Sequence, residues 1–239
     1  MFLCKYSIAR SELIYKNGFE FDLFPLNDTG ITWSGNNSGG NNETCISSTI
    51  SSQDCNEGRD ADASTNNDTD GLAGFSFTKL DESGNELPFI AINWSCVRDN
   101  VTGLVWEIKN ENPNSIHYIN NTYKWGGITA YGRNHPIASG PYFDDWNTLV
   151  NDTNSENLCG SNNWKVPNIN ELNSIINLGV KEPALDTNYF PFITKSFQFW
   201  TSNPSISSES HSHSIYFNTG SVRYVGRQNE ISVMLVHSK

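Results

Sequence analysis

The sequence predicts an α+β fold of antiparallel strands with two helices, preceded by a loop-rich N-terminal segment clipped by a disulfide. Three observations carry that expectation. Short runs of period-two alternation stand before and after a middle stretch with helical spacing, and strands, helices and strands in that order describe an α+β plan. Only 17% of the 239 residues are charged while Asn and Ser are abundant, which suits a turn-heavy exterior rather than long solvated helices. The hydrophobic share is 36%, yet seven Trp, nine Tyr and thirteen Phe supply large side chains, so an aromatic, loop-bounded core is expected.

Residues 1–24 hold a short mixed stretch, Tyr6 to Tyr15, compatible with a helix, a strand or the remnant of a leader. From Pro25 to Asp70 small polar residues and Gly dominate, no apolar period persists, and the chain reads as loop. Gly74 to Leu80 alternates and reads as a strand, with Asp81 to Asn85 as its turn. Val97 to Asp99 and Leu104 to Ile108 read as a hairpin around a tight turn, Asn100 to Gly103. A first helix is expected from Phe143 to Val150, where Phe143, Trp146, Leu149 and Val150 lie at helical spacing. A second starts at Asn168, which forms a capping-box pattern with Glu171, and stops at Gly179. Beyond Pro191, the runs Phe197–Thr201, Ser214–Asn218, Ser221–Val225 and Ile231–Val236 read as antiparallel strands.

The formal charge of -11 is uneven: residues 1–90 carry 5 basic and 14 acidic side chains, whereas residues 91–239 carry 10 and 12. An acidic chain without a Lys/Arg-rich run has no electrostatic footprint for phosphate backbones or anionic lipid, so neither nucleic acid nor membrane is an expected partner. No run approaches the length of a membrane span, and Met1 to Tyr6 lacks the pattern of a signal peptide.

The five cysteines contain no C-x-x-C, and no His lies near them at finger-like separation, which disfavours zinc and thioredoxin-like chemistry. Cys45 and Cys55 flank a polar stretch that cannot bury itself and are expected to pair. That leaves Cys96 with Cys159, a closure that stabilises by about 4 to 5 kcal/mol on the chain-entropy model, and leaves Cys4 over. Disulfides need an oxidising compartment, so an extracellular, surface or periplasmic location is expected.

Three separated motifs carry a family resemblance. Asp99 opens a "D-x-x-T-G-L-x-W" pattern that runs through Thr102, Gly103 and Leu104 to Trp106. Leu158-Cys159-Gly160 precedes Asn163-Trp164-Lys165-Val166-Pro167 and Glu171-Leu172. Phe199-Trp200-Thr201-Ser202 closes the series. In this order they resemble the Lcl C-terminal domain family, over Asn93 to Lys239. The resemblance implies a C-type-lectin-like fold, export, and a non-enzymatic adhesin or recognition role with a glycan or a host or surface protein as ligand. It divides the chain into residues 1–24, a loop-rich region 25–92 and the family module 93–239. The chain has no Gly-X-Y run for collagen-type trimerisation. It ends in Val233 to His237 where the family carries two basic residues, so the sulfated-glycan preference of the family's namesake does not transfer. Two rival readings are a structural appendage of a surface assembly and an oxidase of the formylglycine-generating type on a similar fold; the oxidase needs late cysteines, and none follows Cys159.

Trp94, Trp106, Trp164 and Trp200 fall inside or beside these motifs and are expected in the core rather than stacked on sugar. Glu107 and Glu171 are read as structural rather than as a glycosidase pair. Asp60-x-Asp62-x-Ser64 and Asn66-x-Asp68-x-Asp70-Gly71 alternate oxygen ligands like a calcium loop, but Phe77 stands where an EF-hand needs Glu. Calcium at Asp68 and Asp70 is therefore the one candidate cofactor, weighed against a solvated acidic turn. His211 and His213 could form a metal pair, and exposed histidines are the commoner case. By analogy with the late loops and strands that carry recognition in C-type-lectin-like folds, the resemblance implies a ligand surface from Trp200 to Gln228, where Asn203, His211, His213, Arg223, Tyr224, Arg227 and Gln228 offer hydrogen-bonding, cationic and aromatic groups.

Overall fold

A computed structural model describes residues 27–36, 40–42, 45, 52–132, 140–193 and 197–238. The expected leader segment 1–24 and Cys4 lie outside these residues. The described chain is α+β. A small hairpin joins β1 (Ser34–Asn36) and β2 (Gly40–Asn42). A four-stranded antiparallel sheet follows in the order β3 (Phe77–Leu80), β4 (Cys96–Asp99), β5 (Leu104–Glu107) and β9 (Val236–Ser238). A second, three-stranded antiparallel sheet orders β6 (Gln198–Pro204), β7 (His211–Tyr216) and β8 (Ser221–Gly226). Between the sheets in sequence lie α1 (Asn147–Glu156) and α2 (Ile169–Asn173). Among the described residues no helix is long and apolar enough to cross a membrane.

The hairpin β4–β5 forms where the sequence places it, and its turn has a local cause. Asp99 Oδ1 accepts the amides of Val101 and Thr102, at 2.9 and 3.2 Å, and Gly103 adopts φ +76° to close the reversal. Every residue of β5 is buried, so the strand faces core on both sides. Leu104 and Trp106 enter one apolar cluster with Phe77, Phe190, Phe199 and Phe217, while Val105 enters another with Trp125, Trp146, Trp164 and Trp200. Residues 233–236 alternate between the same two clusters. Five of the Trp side chains are fully enclosed, which is the aromatic core that the composition implies.

Both expected disulfides are present, Cys45 with Cys55 and Cys96 with Cys159. The second ties the start of β4 to the turn after α1.

Several element boundaries differ from the expectation: β3 starts at Phe77 rather than Gly74, β7 spans His211–Tyr216 rather than Ser214–Asn218, and β1 and β2 form within the stretch read as loop. The first helix begins at Asn147 rather than Phe143, because Asp144 takes φ +52° and breaks helical continuity before it; Phe143 is left exposed. The second helix has the expected capping box but ends at Asn173, and Gly179 does not stop it. Gly179 instead serves a close approach, since a Cβ there would meet the Gly30 carbonyl oxygen at 1.8 Å, and the adjacent Leu178 N donates to Thr29 O at 2.7 Å. The last strand starts at Val236, since Ile231 and Ser232 make only single bridges to Tyr123 and Phe199. The main sheet also crosses residue 93: β3 pairs with β4 in register Phe77↔Asp99 to Leu80↔Cys96, so residues N-terminal to Asn93 complete the sheet of the segment that follows.

Candidate functional site

The late strands hold most of the expected ligand residues, and the structure divides them. Tyr224 on β8 is 47% exposed and stacks on His211 of β7, with ring centroids 4.3 Å apart and planes 3° from parallel. His213, paired with Tyr224 across the ladder, lies 6.4 Å from the same ring. The hydroxyls of Ser208, Ser207 and Ser205 approach the Tyr224 phenol and hold its pKa below the ordinary value. Arg223 is exposed and its guanidinium sits 5.2 Å from the Tyr216 ring centroid. Gln228 is exposed as well. β8 is the edge strand of its sheet.

Two expected ligand residues belong to the scaffold instead. Arg227 is 1% exposed; it donates to Pro141 O at 2.7 Å and Ser212 Oγ at 3.0 Å, and lies 4.2 Å over Trp125. Asn203 Oδ1 accepts the Ile169 amide at 2.6 Å and so anchors the first turn of α2. Analogy with lectin-like folds placed both on the ligand surface, but Pro141 O engages Arg227 and the start of α2 engages Asn203. His213 is half-buried, and burial lowers its pKa.

The acidic turn shows the same local engagement. Asp68 Oδ1 accepts the Ala73 amide at 3.4 Å, and Asp70 Oδ2 accepts the Ser76 hydroxyl at 2.6 Å. Among the described residues no group of three His, Cys, Asp or Glu side chains comes together in a way that could hold a metal ion.

A second feature was not anticipated. Glu107, fully buried on β5, accepts from Lys109 Nζ at 2.7 Å and pairs with His117 Nδ1 at 2.6 Å through Oε1, while Oε2 takes the Leu235 amide at 2.8 Å. His117 Nε2 in turn faces Glu156 Oε2 at 3.1 Å. Burial opposes the charge on Glu107, but the Lys109 ammonium and the His117 contact outweigh it and hold the carboxyl at about 2. Burial likewise opposes the charge on His117, and the Glu107 carboxylate, with Glu156, raises its pKa.

Lys109, His117 and Glu156 of this network line a cleft of about 730 Å³ together with Ile92, Trp94 and Phe192. Trp94, expected in the core, is only half-buried. The missed signal was the short spacing of Glu107, Lys109 and His117. A buried carboxylate between two cations is visible in sequence only as a charged residue inside an apolar strand.

The model of the Lcl C-terminal domain matches residues 95–237, more than half of the chain. The chain belongs to the Lcl C-terminal domain family. No curated protein and no solved structure matches it. The residues of the Lcl C-terminal domain motifs are structural here. Asp99 and Gly103 make the hairpin turn, and Trp106 fills the core. In the middle motif, Trp164 is bracketed by Asn154, whose Oδ1 accepts the Trp164 amide at 2.7 Å and whose Nδ2 donates to its carbonyl at 3.1 Å. Glu171 joins the capping box to Lys165, 2.6 Å away. In the late motif, Trp200 Nε1 donates to Tyr123 O at 2.7 Å, and Thr201 O accepts from Trp125 Nε1 at 2.8 Å. The motif residues that mark the Lcl C-terminal domain family therefore serve the fold.

Proposed function

We propose that this Lcl C-terminal domain protein is an exported, non-catalytic recognition module of C-type-lectin-like arrangement that holds a glycan or a surface-protein ligand on its late strands. The observation that carries the reading is Tyr224, half-exposed on an edge strand, stacked on His211 and fenced by serine hydroxyls. An exposed aromatic with neighbouring hydroxyl and imidazole groups offers both a stacking face and hydrogen bonds, the combination that hydroxyl-rich ligands require. The two disulfides support export, because such bonds persist in oxidising compartments.

The test is a glycan and surface-protein array probed with the oxidised protein, followed by the variant His211→Ala/Arg223→Ala/Tyr224→Ala. Loss of at least tenfold in affinity with unchanged melting temperature is expected, and retained binding overturns the placement. Arg227 is excluded from the set because its substitution removes a scaffold contact. Calcium is not part of the proposal: one oxygen of Asp68 accepts from Ala73 and one of Asp70 from Ser76, while Asp70 Oδ1 is buried without a partner among the described residues. Millimolar calcium is expected to leave the melting temperature unchanged; a rise of several degrees reinstates the metal.

A further inference from the structure

The cleft beside Trp94 is remote in character from the late-strand surface and carries an inference of its own. Its apolar wall is continued by a loop that exposes Ile90 (81%) and Ile92 (86%), with Phe89 at 47%. That loop is braced. Buried Lys79 donates to Phe89 O at 3.0 Å and Ala91 O at 2.9 Å, and its ammonium lies 3.7 Å from the Trp94 ring centroid. Leu87 N bonds Lys79 O, Ser95 N bonds Leu80 O, and Trp94 Nε1 donates to Tyr189 O, each at 2.9 Å. A fixed backbone that presents branched aliphatic side chains to water is a feature of contact surfaces rather than of solvated turns.

The polar lining sets the charge. Lys109 and His117 are both paired with buried Glu107, and His117 also faces one oxygen of Glu156, which leaves the second Glu156 oxygen and the exposed carboxylate of Glu82 to meet an incoming cation. With His117 protonated, Glu82, Glu107, Lys109, His117 and Glu156 together carry one net negative charge; Lys79, behind Trp94, faces Asp186. A polyanion is repelled there. A neutral sugar leaves the isoleucines in water.

We propose that this cleft binds a polypeptide segment of a partner protein that sets an aliphatic or aromatic side chain against Ile92, Trp94 and Phe192 and a flanking Lys or Arg beside Glu156 and Glu82. The recognition is by apolar burial plus charge complementarity, and it is independent of any ligand held by Tyr224.

The experiment is an amide NMR titration of the full disulfide-bonded chain with three capped peptides: Gly-Lys-Trp-Lys-Gly, Gly-Glu-Trp-Glu-Gly and Gly-Lys-Gly-Lys-Gly. The first is expected to shift the amides of Ile92 to Ser95 and Ser115 to His117 saturably, and the other two to bind at least tenfold more weakly. Ile92→Ser and Glu82→Gln, both at exposed positions, should each weaken the first peptide at least fivefold without loss of thermal stability. Equal binding of the acidic peptide, shifts confined to residues 211–228, or cleft shifts produced by a neutral oligosaccharide and by none of the peptides overturns the proposal. Because the two surfaces report through different amides, failure here is separable from failure of the late-strand reading.

Discussion

At the residue scale, Glu107 is the most constrained charge among the described residues. Its carboxylate is fully buried between Lys109 and His117 and also receives the amide of Leu235, 128 positions away. Removing one member of such a network leaves the others buried without compensation, so Glu107→Gln is expected to cost about 3 to 5 kcal/mol, measured by denaturant unfolding. The pH dependence follows from the direction of each shift. Glu107 is held at about 2, below the ordinary glutamate range, so its contribution is full above about 4.5 and is lost as pH falls toward about 2. His117 is raised, so its contribution is full below the ordinary value of about 6.5 and is lost as pH rises through the folded value. Burial lowers His213 and His237, whose contributions run the other way: full above about 6.5 and lost as pH falls through their folded values. A histidine NMR titration is expected to place His117 above that value and His213 and His237 below it. The opposite order contradicts the burial and pairing described.

At the element scale, local chemistry explains which units were legible. The β4–β5 turn is made by Asp99 with a glycine at positive φ, and α2 starts where Asn168 and Glu171 exchange hydrogen bonds with each other's backbone. Both are short-range devices, so a sequence pattern suffices. Asn168→Ala is expected to cost about 1 kcal/mol through the lost cap, readable as a drop of a few degrees in melting temperature. Helix ends were less legible. α1 spans Asn147–Glu156 and draws only Leu149, Val150 and Thr153 into the core, whereas the aromatic spacing before it is produced by an irregular turn at Asp144. Ile175 and Ile176 keep helical spacing after α2 has ended, because their burial is set by the facing strands rather than by a continuing helix.

At the scale of the molecule, the four-stranded sheet joins two apolar clusters, and the Cys96–Cys159 bridge fastens its second strand to the turn after α1. The bridge closes 63 positions. Its removal, by Cys96→Ser with Cys159→Ser, is expected to lower unfolding stability by about 4 kcal/mol on the chain-entropy model, whereas opening the short Cys45–Cys55 loop should cost less. Equal losses from the two bridges contradict that ordering.

The sequence by itself determined the α+β class, both disulfide partners, the hairpin, the capping box and the family, because each rests on neighbouring residues or on motif order. It named Tyr224 and His211 as separate ligand candidates; their stacking is a product of the β7–β8 register. Only the tertiary structure decided that Arg227 and Asn203 are scaffold, that Trp94 packs at the edge of the core and lines a cleft, and that Lys109 and His117, paired with buried Glu107, line it too. Those outcomes depend on which distant segment covers a given strand face. Arg227 is capped by Pro141, 86 positions away, and Trp94 is held by Tyr189, 95 positions away, and no local period encodes such contacts.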